Sequence, residues 1–115
     1  MTSREPPAAR DGEPFDSETY GKIAQLLPTE RLRAHLASFE QQVRETAEGP
    51  VERERLKSSA HKLISQAGML GFMELSERSR DLEEACEGEG SLDSALDAFR
   101  RSAERALGVV QTLSE

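Results

Sequence analysis

Two histidines, His35 and His61, and a single cysteine, Cys86, are the side chains of this sequence suited to nucleophilic or acid/base chemistry near neutral pH. Their surroundings differ. The stretch from Leu56 to Gly71 reads as an amphipathic helix with His61 on its wet side. At roughly 100° per residue, Leu56, Ala60, Leu63, Ala67 and Leu70 share one face, and His61 points more than about 90° from its centre. The imidazole is therefore expected in solvent, with Lys57, Ser58, Ser65 and Gly68 one or two turns away on the same surface and Ile64 on the shoulder toward the core. Apart from Lys57 and Ile64 these neighbours are small, which lets another macromolecule approach the ring closely. A histidine with an ordinary pKa of about 6.5 presents a neutral, nucleophilic nitrogen at neutral pH without a dedicated base, unlike serine. His35, between Ala34 and Leu36 at the edge of another apolar stripe, reads as a boundary residue half packed against a neighbour. Cys86 falls in register with a core stripe and reads as a buried, inert thiol. No His, Cys or Asp pair stands at metal-ligand spacing.

The elements that must position His61 are legible from apolar periodicity. Residues 1–14 carry Pro6, Pro7, Gly12 and Pro14 and no periodic pattern, which predicts a disordered tail before a domain over 15–115. A short helix from Ser17 to Leu27, capped by Asp16 or Ser17 and ended by Pro28, turns Tyr20, Ile23, Leu26 and Leu27 to one side. Thr29 is expected to cap a longer helix with the stripe Leu32, Leu36, Phe39, Val43, which stops at Gly49. Pro50 suits the first turn of the next helix, the one that carries His61 and ends or kinks at Gly71. A third stripe, Leu75, Ser79, Leu82, Cys86, runs to the loop Glu87-Gly88-Glu89-Gly90. Ser91 then caps a last helix with the stripe Leu92, Leu96, Phe99, Ala103, Ala106, Val110, Leu113. Long stripes joined by short connections predict an all-α fold, an antiparallel up-down four-helix bundle with a short extra N-terminal helix. Such a bundle, with a core of Leu, Ala, Phe and Val, has no cleft for a small substrate, so function is expected on its surface.

Composition narrows the function classes. A formal charge of −7 with no separate basic cluster argues against nucleic acid as partner. No apolar run is long enough to span a bilayer, and a lone cysteine without a leading apolar segment fits a reducing cytoplasm. Aromatic content of 4% with abundant Leu, Ala, Glu and Arg favours helices over strands.

Ala60-His61-Lys62-Leu63, followed by Ala67, Leu70-Gly71, Leu75 and Leu82-Glu83, resembles the signature A-H-x-L-K-G-S-[AS]-x-x-L-G of the histidine-containing phosphotransfer (HPt) domain family. By motif the resemblance covers Leu56 to Gly90. It implies that His61 is a phosphoacceptor in a two-component phosphorelay, taking a phosphoryl group from a receiver-domain aspartate and passing it to another receiver. It further implies response-regulator receivers or a hybrid histidine kinase as partners, no cofactor of the chain's own, and Mg²⁺ on the partner receiver. The chain departs from the signature at Ile64, Ser65 and Gln66, where lysine, glycine and serine are usual. A basic group near the phosphohistidine stabilises phosphoryl charge. Lys57, one turn earlier on the same face, is expected to replace it, with Ser65 as hydrogen-bonding partner. Ser58, Lys62, Ile64 and Gly68 are then docking residues, with Lys62 rotated by about 100° from the histidine. The competing reading is a phosphotransfer-incompetent HPt-like adaptor or inhibitor that docks to a kinase or receiver. A plain bundle for self-association, in place of a monomer, would bury His61 at a dimer seam.

Overall fold

The computed structural model describes residues 14–114, and among them the backbone forms five helices and no strand. These are α1 (Ser17–Leu26), α2 (Thr29–Glu48), α3 (Arg53–Leu70), α4 (Met73–Glu87) and α5 (Asp93–Leu113). The segment 1–14 expected to be a disordered tail lies outside the described residues, Pro14 excepted. None of the helices is long and apolar enough to cross a membrane.

Each long helix buries the face its periodicity marks. Leu36, Phe39 and Val43 of α2 are buried together with Thr46, whose hydroxyl donates back to the Gln42 carbonyl at 2.8 Å. On α3 the buried set is Leu56, Ala60, Leu63, Ala67 and Leu70, and on α4 it is Leu75, Ser79, Leu82 and Cys86. On α5 Leu96, Phe99, Ser102, Ala103, Ala106 and Val110 are buried, while Leu92 and Leu113 at its two ends are only partly covered. The stripe of α2 is likewise looser at its start, where Leu32 is half-buried. Helices α3 and α4 pack most extensively, α4 also meets α5, and α2 meets both α5 and α3, so that the four long helices enclose one apolar core.

Helix ends differ from their expected form in four places. Thr29 does not cap α2. The amide of Leu32 donates to the Pro28 carbonyl at 2.9 Å, which makes Thr29 the first helical residue and Pro28 the cap position. Pro50 is not in the first turn of α3, because a turn closed by Glu52 N–H to the Pro50 carbonyl intervenes and α3 begins at Arg53. Leu26 does not join the inward side of α1 and is 76% exposed, since it stands roughly 100° from Leu27 around the helix while Tyr20, Ile23 and Leu27 are partly buried. The expected cap of α1 is present: Asp16 accepts from the Glu18 amide at 3.1 Å and from the Thr19 hydroxyl at 2.7 Å. Ser91 accepts from the Asp93 amide at 3.1 Å but is not the cap of α5, because the Leu96 amide donates to the Leu92 carbonyl at 2.8 Å and makes Leu92 the cap position.

The turn between α3 and α4 organises one end of the molecule. Gly71 has φ +94°, and the Phe72 amide reaches back to the Ala67 carbonyl at 2.8 Å, the αL closure that ends many helices. A side chain at Gly71 would also meet the Asp16 carbonyl oxygen at 2.5 Å. That closeness is what lets the Asp16 amide donate to the Gly71 carbonyl at 2.7 Å and tie α1 to the corner. Phe72, absent from every periodic stripe, is fully buried there between the rings of Phe15 (4.9 Å) and Phe39 (4.8 Å).

Candidate functional site

His61 lies on α3 with its side chain 74% exposed, because the opposite face of the helix is occupied by the Leu56 to Leu70 stripe. Across the α3–α4 seam its Nδ1 stands 2.8 Å from Oε2 of Glu83, a carboxylate that is itself only 19% exposed. A carboxylate can only accept, so Nδ1 carries the proton and a neutral ring keeps its lone pair at Nε2. The geometry therefore selects both the tautomer and the nucleophilic nitrogen. Farther along the same seam, about two turns from His61, the Ser76 hydroxyl lies 3.5 Å from where a Gly68 side chain would begin, an ordinary contact distance, and donates to the Ile64 carbonyl at 2.8 Å.

His61 lines a shallow open pocket of about 310 Å³ with Glu54, Lys57, Ser58, Lys62 and Glu83. Of the residues expected at the site, Lys57, Ser58 and Lys62 are thus brought together with the imidazole. Lys57 Nζ is 3.8 Å from Oε2 of Glu87, a long pair in an exposed setting that another anion can replace. Lys62 reaches the same pocket in spite of its rotation around α3, since a lysine stem is long enough to bend back across an adjacent position. Ser65 and Met69 are exposed farther along α3, outside this lining. Ile64, Gln66 and Gly68 are half-buried, so of the three departures from the signature only Ser65 belongs to the open surface.

The other reactive side chains stay apart from this pocket. His35 is exposed on α2, where half-packing was expected. Cys86 is buried, and burial pushes its thiol pKa up, against the lowering influence of Arg53, which disfavours the thiolate. Glu83 is the one residue at this contact to which the sequence assigns no role. The pair Leu82-Glu83 belongs to the motif, and the position of the carboxylate next to a core leucine is the sequence sign that it borders the seam.

The family model of the Hpt domain matches residues 29–113. The chain belongs to the Hpt domain family. The match begins with the first residue of α2 and ends with the last of α5, so the Hpt domain is carried by the four long helices and α1 precedes it. No curated protein and no solved structure gives a significant match to the chain.

Proposed function

We propose that the chain is a histidine phosphotransfer protein of a two-component phosphorelay, in which His61 accepts a phosphoryl group from a receiver-domain aspartate and passes it to another receiver. The observation that carries this reading is an exposed imidazole in an Hpt domain whose Nδ1 is held by Glu83. In the proposed step the Nε2 lone pair attacks phosphorus in line. A P–N bond forms as the P–O bond to the aspartyl group breaks, and the aspartate leaves as its carboxylate. The ring keeps its Nδ1 proton and gains positive charge, which the Glu83 carboxylate offsets, so no proton has to leave during transfer. In this reading Mg²⁺ belongs to the partner receiver. Lys57 and Ser65 serve the phosphoryl oxygens, and Ser58, Lys62, Ile64 and Gly68 form docking surface.

With this function we read α2 to α5 as an antiparallel up-down bundle, within one monomeric, cytoplasmic domain over 15–115. The closed ring of helix neighbours supports that reading, as do the short connections. Two helices linked only by Gly71 and Phe72 pack along their length by running in opposite directions. The deciding experiment is transfer from a phosphorylated receiver, read as acid-labile, base-stable label on the chain. Receiver binding without any label favours a docking-only adaptor or inhibitor instead.

Two substitutions probe the groups around the ring. Glu83→Ala is expected to slow acceptance by about ten-fold, the worth of one partly solvated charged hydrogen bond, and Glu83→Gln by less, since its amide oxygen still accepts from Nδ1. Wild-type rates in Glu83→Ala would remove the ring-orienting role. Lys57→Ala is expected to slow transfer by about three-fold, with an effect that shrinks in high salt, as for other exposed charge pairs. Lys62→Ala should cost less, and equal losses from the two would show that Lys57 has no special share in holding the phosphoryl group.

A further inference from the structure

The α3 face that carries His61 bears two more basic side chains, Lys57 one turn earlier and Arg53 two turns earlier, and each meets α4 at a successive level. His61 meets Glu83, Lys57 meets Glu87, and Arg53 reaches past the last turn of α4 to its backbone. One guanidinium nitrogen of Arg53 donates to the carbonyls of Ala85 at 3.0 Å and Gly88 at 2.8 Å, with a longer 3.5 Å approach to Cys86, and the other donates to Gly90 at 2.8 Å. The last carbonyls of a helix have no donors within it, and α4 has no basic residue in its own last turn. Ala85 already accepts from the Gly88 amide at 3.2 Å, so Arg53 adds a second donor there, ties down the loop carbonyls of Gly88 and Gly90, and places a cation at the negative end of the α4 dipole. The rung between Lys57 and Glu87 is too long and too exposed to hold the helices in register. Farther along the seam, the Ser76 hydroxyl fastens α4 to the Ile64 carbonyl. His61 lies in sequence between these two fastenings on α3.

Register at the seam decides the ring contact. The buried stripe of α4 already excludes a slip of a whole residue, which would turn the helix by about 100°, but a smaller slide or tilt at this end of α4 is enough to break the 2.8 Å contact between Glu83 and Nδ1. We propose that Arg53 is a positioning residue for His61. By clamping the end of α4 and the Gly88-to-Gly90 loop to the first turn of α3, it keeps Glu83 opposite the imidazole, so that Nδ1 stays protonated and Nε2 is the nitrogen that takes the phosphoryl group. This rests on the phosphotransfer reading of His61 for its consequence, but not for its geometry.

The test uses the full chain as wild type, Arg53→Lys and Arg53→Ala. Lysine keeps the charge but cannot fork to several carbonyls. Ring nitrogen shifts of His61 are followed by NMR, and the phosphohistidine isomer is identified after reaction with phosphoramidate, in which the donor P–N bond breaks, a P–N bond to the ring forms and ammonia leaves. Wild type should show the Nδ1–H form and yield the Nε2 isomer. In Arg53→Ala the ring shifts should move toward those of a free imidazole, the Nδ1 isomer should appear, and acceptance should fall by about five-fold, with Arg53→Lys between the two. A folded Arg53→Ala, or Arg53→Lys should the alanine variant unfold, that keeps wild-type ring shifts and isomer overturns the proposal. If wild type shows the Nδ1–H form yet takes no phosphoryl group from any donor, the phosphotransfer reading fails, while the ring shifts of the variants still decide the role of Arg53.

Discussion

His61→Gln is expected to abolish acid-labile phosphorylation by a phosphorylated receiver and to leave the helices folded. The substitution removes the one ring that offers a nucleophilic nitrogen in the pocket, and an amide nitrogen has no lone pair free to attack phosphorus, so label should fall by at least about 100-fold. The fold has little to lose. The side chain is largely in solvent and makes a single hydrogen bond, and glutamine is at least as good a helix former as histidine. Surface changes of this kind stay within about 0.5 kcal/mol, which for a domain of this size is a shift of less than about 4 °C in Tm. Circular dichroism and thermal unfolding check the second half of the expectation, and phosphoryl label stable to base but not to acid checks the first. Undiminished label on the mutant would place the phosphoacceptor elsewhere. Wild type that binds a receiver without label, with binding unchanged in His61→Gln, would make the chain an adaptor.

The largest effect on stability is expected from Phe72→Ala, at about 3–5 kcal/mol of unfolding free energy. Phe72 is fully buried between Phe15 and Phe39, so the truncation leaves a cavity where the corner, α1 and α2 meet, and the two remaining rings lose their shared partner. Against a total stability of about 5–15 kcal/mol, the loss should lower Tm by roughly 15–30 °C. Leu26→Ala, by contrast, removes a larger apolar side chain than alanine from an exposed position and should leave Tm nearly unchanged. Denaturant unfolding of the two variants measures the difference. A cost below about 1 kcal/mol for Phe72→Ala would mean that the corner refills and that the aromatic group does not anchor α1. Below its lowered Tm the variant should still accept phosphoryl groups at close to the wild-type rate, because Phe72 touches neither His61 nor Glu83.

Much of this architecture is legible in the sequence alone. The stripe from Leu56 to Leu70 is buried residue for residue, as is that from Leu75 to Cys86, because a helix of 3.6 residues per turn has only one way to turn such a stripe inward. The exposure of His61 follows from the same rule. Periodicity is silent where the chain is not helical, and Phe72 sits in a two-residue connection, so one of the largest core side chains escaped it. The caps of α2 and α5 fall elsewhere than at Thr29 and Ser91, and α3 starts beyond Pro50, for a related reason: capping preferences are worth about 1 kcal/mol, and a neighbouring carbonyl such as that of Pro28 or Leu92 can take the first helical hydrogen bond just as well.

By itself, then, the sequence determined that the chain is helical, which faces enter the core, and that one histidine stands in solvent among small residues with the motif of a phosphoacceptor around it. Only the tertiary structure decided what stands across from that histidine. Helical periodicity is local and sets the direction in which a side chain points, but which side chain of another helix it meets depends on the register and rotation of the two helices. Those are set by contacts far apart in sequence, from the Arg53 clamp on the end of α4 to the Ser76 bond on Ile64, and they bring Glu83 to Nδ1 and leave Nε2 of His61 free.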